Sequence, residues 1–177
     1  MKEIWKDALR PLLITLALVF IVETFSSALL PFIGLTHYRI PFNVLVILFM
    51  GFKLNTPYIG LFIFVIQYFH GFFSVEGWEM GTIAGILITT LIGYLKEIMH
   101  FSSAIITILI TQLFQVLWFI IISSLIYLKT ESFAYIVEKF WRFLPESALV
   151  SLIAPFFFFI FDQIWVTRDS GILREQV

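Results

Sequence analysis

The chain has 177 residues, 60% of them hydrophobic and 13% charged, with a mean hydropathy of +1.01 and a formal net charge of −1. Soluble domains run about 45–50% apolar and about 25% charged, so a water-soluble globule and a disordered chain are both excluded, and the near-neutral charge argues against nucleic acid as a partner. With no cysteine there is no disulfide frame and no thiol chemistry, which leaves an all-α integral membrane protein forming a single transmembrane helical domain over residues 1–177.

A hydrocarbon core about 30 Å thick takes about 20 apolar residues per helix. Six apolar runs serve as predicted spans, at about 11–35, 41–52, 57–75, 80–95, 103–128 and 144–166. The first is interrupted by Glu23 and ends near Pro31 and Gly34; it has no small-residue cleavage site and reads as a retained anchor. The second is short. With Arg39 and Lys53 snorkelling at its ends it just spans; otherwise it is re-entrant. In and before the fourth run, Gly77, Gly81, Gly85, Thr89 and Gly93 recur every four residues as a ridge of small side chains. Lipid supplies no hydrophobic drive between helices, so close backbone approach over small residues supplies the packing instead. The ridge therefore packs against something, either this chain's own bundle or another protein. The sixth run carries Phe156, Phe157, Phe158, Phe159, Ile160 and Phe161, with Pro155 expected to kink it.

The connections are short and turn-rich except the fifth, about Lys129 to Glu146. There Phe133, Ile136, Val137, Phe140, Trp141 and Leu144 fall on one helical face, which predicts an interfacial helix over about 131–143. It reads as a connector on lipid or as a docking surface. With six spans, seven Lys and Arg flank the side holding both termini and four flank the other, so both termini are expected in the cytoplasm and the 131–143 helix outside.

Little in the chain offers chemistry. His37, His70 and His100 are too far apart in sequence for a helical metal motif, and no hydrolase, phosphate-loop or dinucleotide motif occurs. No catalytic, cofactor or metal residues are expected, and the protein is not read as an enzyme. Glu23 lies mid-span, where a charge costs on the order of 2.5–3.5 kcal/mol, so it must face protein or water or be protonated. Gln67 and His70 share a face of the third span, and Gln112 and Gln115 repeat that spacing in the fifth, either as interhelical glue or as a polar site. Asp162 is within reach of Arg168.

Four stretches carry a family likeness: Arg39-Ile40-Pro41-Phe42-Asn43 leading into a short apolar helix, Asn55-Thr56-Pro57-Tyr58-Ile59-Gly60, the small-residue helix Gly77 to Tyr94 followed by Lys96, and Leu144-Pro145-Glu146-Ser147 leading to Pro155. In order and spacing, over roughly residues 38–166, the chain resembles the MreD family of rod-shape-determining proteins of the bacterial inner (cytoplasmic) membrane. It departs from the family in the third helix, where Gln67 or His70 stands in the region of a family aspartate. The resemblance implies a non-catalytic scaffold of the cell-elongation (rod) complex. Such a scaffold binds an MreC-like bitopic partner, and through it peptidoglycan synthases and MreB-like filaments, in support of side-wall synthesis and cell shape. On that reading Gly77, Gly81, Gly85, Thr89 and Gly93 serve close approach of the partner, with Phe140 and Trp141 as the outer surface. The resemblance also implies the helical fold of the substrate-binding (S) subunits of energy-coupling-factor vitamin transporters. The alternative function is such a subunit, with Glu76, Trp78, Glu79 and Gln67 as ligand contacts.

Overall fold

A computed structural model describes residues 2–32, 34, 38–74, 77–96 and 103–165, with side chains from Ala8 onward. These residues form six helices and no strand: α1 (Lys2–Phe32), α2 (Phe42–Lys53), α3 (Ile59–Gly71), α4 (Trp78–Leu95), α5 (Ala104–Thr130) and α6 (Phe133–Trp165). Four of them, α1, α4, α5 and α6, are long and apolar enough to cross a membrane. Residues 33, 35–37, 75 and 166, at the ends of expected spans, lie outside the described residues, as do Glu76, His100 and Arg168.

Local chemistry sets the helix ends. Ser103 caps α5, its side chain accepting the Ile106 N–H at 3.3 Å. Gly77 precedes α4 with φ +79, a left-handed conformation that glycine adopts without strain. Glu131 ends α5 at φ 52, a position that usually favours glycine or asparagine.

The short α2 is the centre of the bundle. Eleven of its twelve residues are buried, and it touches all five other helices. A helix apolar on every side is stable only when surrounded. Here protein rather than lipid surrounds it, so α2 needs no full membrane-spanning length. Phe42 and Phe49 pack on Phe157, Phe158 and Phe161 of α6, with ring centroids 4.5–6.0 Å apart. At one end of the bundle Lys53 pairs with Asp162 at 3.3 Å, and Trp165 Nε1 donates to Thr15 Oγ1 at 3.0 Å. The opposite end gathers residues from the C-terminal parts of α1, α3 and α5 and the N-terminal parts of α2, α4 and α6. The six helices therefore alternate in direction.

The structure corrects one expectation and decides between two alternatives. Asp162 pairs with Lys53, while its expected contact with Arg168 lies outside the described residues. The fifth connection shrinks to Glu131 and Ser132, because residues 133–143 are the first third of α6 and not a separate helix. The ridge of α4 is turned inward. A methyl group added to Gly85 would sit 2.6 Å from Ile63 Cγ2, and one added to Gly81 would fall on the Gln67 amide. Thr89 is buried and bonds its own helix at Gly85 O, 2.8 Å away. Gly51 of α2 completes the contact, a methyl there meeting Ile92 Cδ1 at 2.9 Å. The small residues let α2 and α3 approach α4, so Gly81, Gly85 and Thr89 are covered by this chain and present nothing to a partner. Gly93 is open, with nothing near its missing side chain.

Candidate functional site: a polar cavity at one end of the bundle

The end where α1, α3 and α5 finish encloses a cavity of about 280 Å³. Its volume is close to the lower bound of small-molecule sites, roughly 300–1,000 Å³. All six helices contribute to its walls.

The floor is polar and buried. Glu23 of α1 is 5% exposed, and its Oε1 lies 2.9 Å from His70 Nδ1 of α3. Asn43 of α2 donates from Nδ2 to Gln67 Oε1 at 3.3 Å. Gln115 of α5 donates from Nε2 to Ser147 O at 3.1 Å and to Ser151 Oγ at 2.8 Å, while Ser151 donates to Gln112 Oε1 at 2.8 Å. That network stitches α5 to α6. Each of the three floor amides keeps one buried atom without a hydrogen-bond partner: Asn43 Oδ1, Gln67 Nε2 and Gln115 Oε1. An unmet buried polar group costs about 1–3 kcal/mol.

The rim is charged. The backbone N–H of Arg39 donates to Glu146 Oε1 at 2.7 Å, and its guanidinium donates to Phe73 O. Glu138 and Arg142 form an i,i+4 ion pair on α6, and Lys139 also lines the cavity. Three carboxylates (Glu23, Glu138, Glu146) thus face three cations (Arg39, Lys139, Arg142), and the cavity as a whole carries both signs in balance. Trp118, Phe119 and Phe143 also line the cavity. Among the described residues no group of three or more His, Asp or Glu is placed to hold a metal ion.

The structure thus brings Glu23, Gln67 and His70 together from two helices. Of the contacts expected for a transporter subunit, Gln67 lines the cavity, while Trp78 packs edge-to-face on Phe64 and Tyr68 outside it and Glu79 is exposed. Phe140 leans on Phe119 at 5.8 Å, and Trp141 stands 67% exposed. Sequence reasoning missed Asn43 as a site residue. The signal was present, since it is the one amide in the apolar stretch Phe42 to Phe52. It also missed the convergence of the α6 charges, because 131–143 was read as lying apart from the bundle. No protein-family model matches the chain, and no curated protein or solved structure is significantly similar to it.

Proposed function

We propose that the protein is a non-catalytic scaffold of the MreD kind. It sits in a bacterial cytoplasmic membrane with both termini inside and holds the membrane helix and adjoining segment of an MreC-like bitopic partner. Through that partner it supports the side-wall peptidoglycan machinery. The observation that carries this reading is the length and surface of α6. At 1.5 Å per residue its 33 residues extend roughly 50 Å, against a hydrocarbon core of about 30 Å. One exposed apolar stripe runs along it through Phe133, Val137, Trp141, Leu144, Leu152 and Phe156. A core of about 30 Å covers about 20 of the 33 residues, so on this reading the first third, with Phe133, Val137 and Trp141, stands beyond the hydrocarbon, and a contiguous apolar surface there calls for cover. A helix that leaves the membrane alongside α6 covers both parts in one contact. The test is copurification with the MreC-like protein from detergent. Phe133→Glu with Trp141→Glu is expected to abolish retention without lowering the melting temperature; full retention refutes the reading.

The polar cavity favours a second reading, the S subunit of an energy-coupling-factor vitamin transporter. A tightly bound small molecule that survives purification at high yield supports it, and a ligand-free protein at the same yield counts against it.

A further inference from the structure

We infer that Glu23 and His70 form a proton-binding site that sets how firmly the C-terminal part of α1 is held in the bundle. The chain alone carries this site, whatever partner α6 holds. α1 packs on α2, α3 and α6. Among the described residues, two side-chain hydrogen bonds join it to other helices. Thr15 accepts from Trp165 of α6, and about two turns further on Glu23 Oε1 meets His70 Nδ1 of α3 at 2.9 Å. Past Glu23, Ser26 is the one buried residue among those of α1, so the pair is the last firm hold on the end of that helix. The Glu23 side chain is 6% exposed and that of His70 17%, so solvent screens the carboxylate poorly while the imidazole reaches the cavity, through which its proton exchanges. An imidazolium and a carboxylate together are neutral, and the hydrogen bond between them is charge-assisted. When the imidazolium gives up its proton to the cavity, the pair keeps a net negative charge inside the bundle, where an uncompensated charge is expensive. Imidazole is the side chain that changes charge between about pH 5 and 8, so rising pH loosens the end of α1. The other charged and titratable side chains on the cavity are Arg39, ahead of α2, and Tyr135, Glu138, Lys139, Arg142 and Glu146 of α6; among the described residues α4 and α5 line it with none. At the rim the Arg39 guanidinium bonds Phe73 O, Arg142 bonds Glu138, and Glu146 accepts the Arg39 N–H, bonds that leave the neutralising of Glu23 to His70.

The test uses the full chain in nanodiscs without partner. Ser27→Cys and Ser124→Cys carry spin labels that report the distance from the end of α1 to α5; both positions are exposed, and the chain itself has no cysteine. From about pH 5 to about pH 8 the distance distribution is expected to pass from one narrow peak to a broader one. Glu23→Gln is expected to reverse that response. Glutamine accepts a hydrogen bond from neutral His70 but cannot neutralise an imidazolium, so α1 is then held at the basic end of the range and loosened at the acid end. Glu23→Gln with His70→Gln is expected to give no response, since neither amide titrates. An unchanging distribution in the labelled chain with Glu23 and His70 intact overturns the inference, and this reading is available even if a variant fails to fold. A response retained in the double variant also overturns it, by placing the titrating group at the rim, as does a Glu23→Gln response of unchanged sign.

Discussion

Replacing Gly85 by alanine adds one methyl group where α2, α3 and α4 meet. Built on the backbone, that methyl lies 2.6 Å from Ile63 Cγ2 and 3.3 Å from Ile47 Cδ1. Carbon atoms pack best at about 3.5–4.0 Å, so α3 must retreat by about 1 Å or Ile63 must leave its rotamer. Overpacking of this kind costs about 1–3 kcal/mol. The same substitution also gains about 0.8–1.0 kcal/mol of helix propensity, which would blur the measurement. Gly93→Ala removes that ambiguity: it sits on the same helix and gains the same propensity, but nothing lies within 4 Å of the new methyl. The difference between the two variants isolates the contact, and Gly85→Ala is expected to be less stable than Gly93→Ala by about 1–3 kcal/mol. Reversible unfolding in mixed micelles measures both. Equal stabilities, or a stabilised Gly85→Ala, would refute the inward packing of the ridge.

Other expectations test separate parts of the bundle. Gln115→Leu removes two bonds between α5 and α6 and is expected to cost about 1 kcal/mol in the same assay, at about 0.6 kcal/mol per interhelical bond in a membrane. A double-mutant cycle of Trp165→Phe with Thr15→Val is expected to give a coupling of about 0.6–1.7 kcal/mol; additive losses would mean that the 3.0 Å bond contributes nothing. Glu131→Gly relieves a left-handed residue and is expected to stabilise by about 1 kcal/mol, read as a higher melting temperature. Because the chain has no cysteine, single substitutions report orientation cleanly. Ser132→Cys is expected to react with an impermeant maleimide on intact cells, and Lys96→Cys only after permeabilisation.

How much of this was legible in the residues alone depended on the range of the signal. Hydropathy located the long helices, since a 27-residue apolar run such as α5 has few alternatives in lipid. The four-residue spacing of small side chains showed that α4 is closely packed, but periodicity on one helix carries no information about what lies opposite. Only the structure gives Ile63, Gln67 and the unsuspected Gly51 as its neighbours. The amphipathic pattern of 133–144 is the same for a helix lying on a membrane and for one standing above it. Its fusion to the last span was therefore not readable, and Pro145, which α6 runs through, pointed to a break instead. The cavity was least visible. Glu23 and His70 are 47 residues apart, Asn43 and Gln115 lie on different helices, and each had an ordinary packing role of its own.

The proposed docking stripe is tested most directly by site-specific photocrosslinking in living cells. A photoreactive amino acid at position 141, on the outer stripe of α6, is expected to form an adduct with the MreC-like protein. The same group at position 87, on the exposed face of α4, is expected to form none. An adduct at position 87 equal to that at 141, or none at 141, would contradict the scaffold reading.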